Sequence, residues 1–110
     1  MAAMRRMSYR VHPARNRHRL VAALVYADSQ GALQSWYDEA IKANWRTPQN
    51  IKDQYNSASI CANNRVVFNI AGNKYRLVVE MQYRAGVAWV KFVGTHARYD
   101  KINVESVNEY

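Results

Sequence analysis

The sequence predicts an α+β fold in which an N-terminal helical hairpin packs on a small, twisted antiparallel sheet. Apolar residues recur at helical spacing in the first half of the chain, and the period changes to two from Val66 onward. With 110 residues, 49% of them hydrophobic and only 4 Gly and 2 Pro, the composition is that of a globular chain with one core. We expect residues 1–110 to form a single domain, with residues 1–6 as a disordered leader before Met7.

Two helices are predicted ahead of the sheet. Residues 14–26 and 31–44 carry apolar side chains at helical spacing, and the polar turn at Asp28 between them supplies a good capping residue. A short connection of this kind predicts an antiparallel helical hairpin. We expect Thr47-Pro48 to stop the second helix, because proline disfavours helical backbone in the residue before it.

The strands are predicted from alternation and turn chemistry. Residues 8–12 can form a short first strand, whereas residues 49–64 are polar and less regular. From there on, apolar and polar residues alternate in runs that Gly-containing turns separate, which is typical of an antiparallel meander. The runs are residues 66–70, 75–83 and 87–93, and the turns are Ala71-Gly72-Asn73 and Arg84-Ala85-Gly86.

The charge of the chain points to a polyanionic partner. Sixteen Lys+Arg against eight Asp+Glu give a net charge of +8, which favours binding to nucleic acid. Residues 42–101, which include the predicted strands, hold ten basic and three acidic groups, so we expect a basic sheet face. The alternative is an ordinary solvated surface. The Arg-rich start, with His18 among Arg15, Arg17 and Arg19, is expected to contact a nucleic-acid partner or to be solvated.

Several classes of protein are excluded. The single cysteine, Cys61, rules out an internal disulfide scaffold and a multi-cysteine zinc site, and it fits a reducing cytoplasm. No apolar run approaches the ~18 residues that a membrane span needs, and no Walker-type or HExxH motif is present. We therefore expect a cytoplasmic protein with no membrane association, no metal site and no cofactor.

Four stretches resemble a known family when they are taken together. They are Trp36-Tyr37, Trp45-Arg46-Thr47-Pro48, the hairpin RVVFNIAGNKYRLV at residues 65–78 and the tail GTHARYDKI at residues 94–102. The chain is similar over residues 9–102 to HigB-type toxins of the RelE superfamily. The resemblance implies a type II toxin that cleaves messenger RNA, usually on the translating ribosome. It also implies a HigA-type helix-turn-helix antitoxin that assembles with the toxin into a hetero-oligomer.

The chemistry that the resemblance implies requires specific residue types. Metal-free cleavage of RNA needs a base for the 2′-hydroxyl, a cation for the phosphoryl oxygens and an acid for the departing 5′-oxygen. Arg76 is the predicted cation, and His96 matches the family tail and is the predicted base or acid. Tyr99 and Asp100 lie within reach of His96 if that stretch is a helical turn. Tyr99 would stack on a base or donate a proton, and Asp100 would orient His96.

Each candidate also has a plainer interpretation. Arg76 can pair with Glu80 along the same strand face, His96 can have a structural role beside a helix, and Asp100 can bridge to a neighbouring cation. Four further residues are predicted to bind RNA phosphates, and their alternative role is that of solvated surface charges. They are Arg65, Lys74, Arg98 and Lys101.

Two functions from different classes remain open at this point. The first is an endoribonuclease that acts on messenger RNA. The second is a non-catalytic module that binds RNA or the ribosome and blocks translation without cutting a transcript.

Overall fold

The computed structural model describes residues 10–12 and 27–109. It confirms the α+β class, with three helices and five strands in this part of the chain. In chain order the elements are β1 (Arg10–His12), α1 (Ala27–Ala40), α2 (Pro48–Gln54), β2 (Ser59–Ile60), β3 (Arg65–Ile70), β4 (Tyr75–Gln82), β5 (Val87–Thr95) and α3 (His96–Tyr99).

One sheet with the strand order β1-β5-β4-β3-β2 forms the centre of the molecule. The predicted meander is confirmed, because β3, β4 and β5 are consecutive antiparallel neighbours, and β2 extends the sheet beyond β3. The short first strand is confirmed at Arg10–His12, but it pairs parallel with β5, from Val87 to Trp89. A parallel pair requires a long connection between its strands, and the whole helical region and the meander separate these two.

The first face of the sheet carries the main core. From α1, Leu33, Trp36 and Ala40 are buried against this face, at the spacing of a helical stripe. The ring centroid of Trp36 lies 5.3 Å from that of Phe68 in an edge-on arrangement. Tyr37, which the sequence places in the same stripe, is instead 41% exposed.

The predicted helical hairpin is only partly described. Its first helix, residues 14–26, lies outside the described residues. Its second helix is present but displaced, since α1 begins at Ala27 and ends at Ala40. Asp28 therefore lies inside a helix and not in the predicted turn. After Ala40 the chain leaves the helix through a turn in which the N–H of Ala43 donates to the carbonyl of Ala40.

The stretch predicted to be irregular contains two elements. Thr47-Pro48 does not stop a helix but begins α2: the Thr47 hydroxyl accepts from the Asn50 N–H, and the Asn50 side chain accepts from the Thr47 N–H. Proline suits the first turn of a helix because no N–H is needed there. The two-residue strand β2 follows, and it pairs with Val66 and Val67.

The second face of the sheet is covered by the end of the chain. Val67, Val78 and Phe92 form a buried cluster on this face. Residues 100–109, here called the C-terminal segment, contribute Ile102, Val104 and Val107, which pack against this cluster. The expected basic sheet face is therefore wrong: its centre is apolar, and the strand arginines on it, Arg65 and Arg76, are buried.

Candidate functional site

Arg76 lies at one end of the second face. It pairs across the sheet with Asn69 of β3 and Gly94 of β5, on the side opposite Tyr75 and Leu77, as predicted. Residues directly opposite each other in an antiparallel ladder point to the same face. The Arg76 side chain thus projects from the second face, and the residue is 9% exposed.

The Arg76 guanidinium is held by the turn that precedes it. One nitrogen donates to the carbonyls of Asn73 and Tyr75 at 3.1 and 3.3 Å, and the other donates to Asn73 Oδ1 at 3.0 Å. The alternative pairing with Glu80 is not formed, because Glu80 lies 3.7 Å from Lys91 Nζ. These three acceptors of the Arg76 guanidinium are neutral oxygens.

His96 begins α3 directly after β5. Its backbone N–H donates to the Lys74 carbonyl, which ties the helix start to the β3–β4 turn. Its ring nitrogen Nδ1 lies 3.1 Å from Oδ2 of Asp100, so the predicted pair at i and i+4 is formed. The two side chains are 46% and 58% exposed. The second ring nitrogen of His96, Nε2, takes no part in this contact.

The ring of Tyr99 lies between these groups. The Arg76 guanidinium carbon is 5.7 Å from its centroid, and the His96 ring centroid is 6.5 Å away. Burial raises the pKa of the Tyr99 phenol above its ordinary value, nearby Cys61 and Asp100 raise it further, and Arg76 opposes the shift. The phenol therefore stays protonated at neutral pH and can donate a hydrogen bond.

The four residues predicted as catalytic thus come together in one cluster. We call Arg76, His96, Tyr99 and Asp100 the Tyr99 cluster. Its geometry follows from local structure: Arg76 lies opposite Gly94, His96 is two residues further along, and one helical turn returns Tyr99 and Asp100 toward both. The cluster combines a cation, an imidazole–carboxylate pair and a phenol at the edge of the second face.

The four residues predicted to bind RNA do not share one environment. Lys74 and Lys101 are exposed and adjoin the Tyr99 cluster along the chain. The Arg98 guanidinium carbon lies 5.2 Å from the Phe92 centroid, and one of its nitrogens contacts both carboxylate oxygens of Glu109 at 3.1 and 3.2 Å. Its side chain is 54% exposed, so Arg98 has an exposed charge that is already paired within the chain.

Arg65 stands apart from this cluster. It lies four residues before Asn69, the strand partner of Arg76, which corresponds to about 13 Å along a strand. The residue is 7% exposed, and its guanidinium donates to the carbonyls of Val104 and Val107 at 3.4 and 2.6 Å. These contacts anchor the C-terminal segment, and this engagement with the segment, more than the burial that Arg65 shares with Arg76, argues against the contact with RNA phosphate that the sequence suggests.

Sequence reasoning missed two residues at this face. Asn73 was recognised only as part of a turn signal, although two of its oxygens hold Arg76. The available signal was a turn asparagine three residues before an arginine. Glu109 does not figure in the predictions from the sequence, and its contact with Arg98 spans eleven residues with no periodic pattern to indicate it.

Residues 10–12 and 27–109 contain neither a candidate metal site nor a candidate membrane span. No group of three or more His, Cys, Asp or Glu side chains in these ranges is arranged to hold a metal ion. None of the helices described there is long and apolar enough to cross a bilayer.

Comparison with known proteins identifies the family. No curated protein matches the chain. A family model does match residues 29–102, from α1 through the Tyr99 cluster to Ile102, and its description is HigB_toxin, RelE-like toxic component of a toxin-antitoxin system. Because the match covers about two thirds of the sequence and includes every residue of the cluster, the chain belongs to the HigB family of RelE-like toxins.

Proposed function

We propose that this toxin is an endoribonuclease that cleaves messenger RNA on the translating ribosome, by attack of the 2′-hydroxyl on the adjacent phosphorus. The observation that carries the proposal is the convergence of Arg76 and His96 on the Tyr99 ring, at 5.7 and 6.5 Å, with Asp100 on the imidazole. Such a group of residues supplies the cation and the proton-transfer groups of a metal-independent reaction.

His96 is proposed as the base. With Nδ1 directed to Asp100, Nε2 of the half-exposed imidazole is the nitrogen that accepts the proton of the 2′-hydroxyl. The 2′-oxygen then forms a bond to phosphorus, and the bond from phosphorus to the 5′-oxygen breaks. The leaving oxygen takes up a proton, so the products are a 2′,3′-cyclic phosphate and a 5′-hydroxyl, with no water consumed.

Arg76 is proposed to stabilise the charge that develops on the phosphoryl oxygens. Its contacts with Asn73 and Tyr75 leave further N–H groups of the guanidinium for a substrate oxygen. Tyr99 is protonated at neutral pH, which suits it to donate a proton to the leaving oxygen or to stack on a base.

RNA binding is proposed for the cations at the rim of the cluster. Lys74 and Lys101 are exposed beside it and can contact neighbouring phosphates. Arg98 joins them if a phosphate displaces the Glu109 carboxylate from its exposed guanidinium. We leave Arg65 out of this group because its guanidinium is buried against the C-terminal segment.

Membership of a toxin–antitoxin family implies an antitoxin partner. We propose a HigA-type helix-turn-helix protein that forms a hetero-oligomer with the toxin. A protein that acts on messenger RNA during translation works in the cytoplasm, and this is the compartment we propose.

The replacement of His96 by Ala tests the reaction. We expect cleavage to fall by about 10²-fold or more, since general acid–base groups contribute on this scale. The unfolding midpoint should stay near that of the wild type because the side chain is half exposed. Cleavage is measured by mapping transcript 5′ ends after induction without antitoxin, and Ser57→Ala in an exposed loop is the matched control.

The same experiment separates the nuclease from the second candidate, a module that binds RNA or the ribosome without cleaving. If the protein were such a module, the wild type would arrest growth and leave transcripts intact. Growth arrest by the wild type with no new 5′ ends would therefore overturn the nuclease proposal.

A further inference from the structure

We propose that Asn73 is a positioning residue for Arg76, and that its neutral side chain keeps the Arg76 charge available to the substrate. This inference rests on the proposed endoribonuclease function. It assigns a role to a turn residue that does not itself touch the reacting atoms.

The geometry fixes the orientation of the guanidinium plane. Asn73 accepts from both terminal nitrogens of Arg76, with its carbonyl at 3.1 Å from one and its Oδ1 at 3.0 Å from the other. A guanidinium held at two nitrogens by one residue cannot rotate without losing a hydrogen bond. Asn73 therefore selects the rotation of Arg76 in which its plane lies beside Tyr99.

The turn that carries Asn73 is itself well defined. Ala71 and Gly72 both adopt positive φ, at 54° and 70°, and the strands resume at once on the other side. Lys74, the next residue, accepts a hydrogen bond from the backbone N–H of His96. One four-residue turn therefore positions the cation through Asn73 and the start of the imidazole helix through Lys74.

The chemical identity of Asn73 matters as much as its position. An aspartate with the same side-chain length would form a charge-assisted pair with Arg76, and that pair would hold the arginine more strongly than the amide does. It would also offset the positive charge that a phosphoryl oxygen must meet. The carboxylates nearby are engaged elsewhere: Asp100 contacts His96, and Glu80 contacts Lys91 and Gln82.

A role of Asn73 in turn stability alone and a role in keeping the Arg76 charge available predict opposite effects of Asn73→Asp on cleavage. If Asn73 only stabilises the turn, the aspartate should retain or improve both folding and cleavage. If the absence of charge on the Asn73 side chain matters, the Asn73→Asp protein should unfold at the same or a higher temperature but cleave RNA more slowly, by about tenfold or more. The loss should appear in the rate at saturating ribosome-bound RNA and not only in the apparent affinity.

The experiment compares four full-length proteins in single-turnover cleavage of ribosome-bound messenger RNA and in thermal unfolding. They are the wild type, Asn73→Asp, Asn73→Ala and Asn44→Asp. The last is the matched control, because Asn44 is exposed in the loop after α1 and receives the same added charge. We expect Asn73→Ala to lose both stability and rate, and Asn44→Asp to cleave like the wild type.

The outcomes distinguish this inference from the function on which it rests. If the wild type does not cleave, the proposed function fails and the inference with it. If the wild type cleaves and Asn73→Asp cleaves equally fast, or slows only as much as Asn44→Asp, the inference alone is overturned. Should Asn73→Asp unfold at the assay temperature, Asn73→Ser is compared with Asn73→Ala at matched stability. Faster cleavage by the serine variant, which keeps a neutral acceptor, supports the inference, and equal rates overturn it.

Discussion

Two arginines on the same sheet face differ in what surrounds them. Arg65 and Arg76 are both below a tenth exposed, but Arg65 donates to backbone carbonyls of the C-terminal segment, and its Nε is buried with no hydrogen-bond partner among the residues that the structure describes. Arg76 is held by its own turn, and its guanidinium lies near the Tyr99 ring, which the exposed His96 also approaches. We therefore place Arg76 in the candidate site and Arg65 in the anchor of the C-terminal segment.

The phenol of Tyr99 gives a prediction of how the stability of the protein depends on pH. The folded state raises the phenol pKa above its ordinary value of 10.0, chiefly by burial, and burial does the same for Tyr83. Above pH 10 the unfolded chain loses these protons more readily than the folded one, so the free energy of unfolding falls as pH rises. The stabilisation is fully present below pH 10 and is lost as pH rises through the folded-state pKa.

We expect Tyr99→Phe to reduce this alkaline loss of stability, which is measured by urea unfolding at several pH values from 8 to 11. Tyr83→Phe is the matched control, because it should reduce the loss through its own partly buried phenol without slowing cleavage of RNA. A pH dependence in Tyr99→Phe identical to that of the wild type would contradict the assignment.

At the scale of elements, the sequence predicts best where the pattern is regular. The alternation in β3 and β4 indicates the faces correctly, with Phe68 and Leu77 in the main core and Arg76 on the other side. Prediction from the sequence fails where one residue type suits two different structures. Pro48 both disfavours helix before it and suits a first turn, and only the Thr47–Asn50 capping contacts, which the structure reveals, decide between these uses.

The candidate site was predictable to the extent that it is local. His96, Tyr99 and Asp100 lie within one helical turn, so their spacing alone brings them together. The burial of Arg65 was not predictable, because its partners Val104 and Val107 lie about forty residues away and present backbone atoms, which no side-chain pattern reports.

The close approach of the Phe92 ring to Gly94, both in β5, gives a stability prediction. A Cβ at this position would lie 2.7 Å from Phe92 Cζ, and Phe92 is fully buried, so the ring has no free space into which to move. We expect Gly94→Ala to lower the free energy of unfolding by about 1–3 kcal/mol, as overpacking of a core does. Urea unfolding measures the change.

Gly31 offers the matched control. It lies within α1, and a Cβ there would meet no atom within 4 Å. Gly31→Ala should therefore increase the free energy of unfolding by up to about 1 kcal/mol, the usual gain of alanine over glycine in a helix. A Gly94→Ala protein as stable as the wild type would show that the second face is more loosely packed than the structure indicates.

At the scale of the whole molecule, the positive charge is unevenly distributed along the sequence. Residues 1–26 hold six of the sixteen basic residues and no acid, so residues 27–110 hold ten basic and eight acidic groups, a net of only +2. Among the basic residues of 27–110, Arg98 and Lys91 also pair with carboxylates. Most of the long-range attraction to a polyanion therefore resides in the Arg-rich start, whereas the proposed chemistry resides in the Tyr99 cluster.

This separation of charge from chemistry predicts that binding to the ribosome depends on the Arg-rich start more than on the Tyr99 cluster. In a His96→Ala background, which keeps the RNA uncut, we replace Arg15, Arg17 and Arg19 by Gln and measure binding to bacterial ribosomes at several salt concentrations. If these side chains contact ribosomal RNA, the slope of log affinity against log salt should become shallower by about 2–3, as expected for three lost phosphate contacts. The control replaces Lys42, Arg46 and Arg84 by Gln, three exposed cations outside the Tyr99 cluster, and should preserve the slope. An equal change in both triple variants would mean that only net charge matters and that the Arg-rich start has no specific contact with the ribosome.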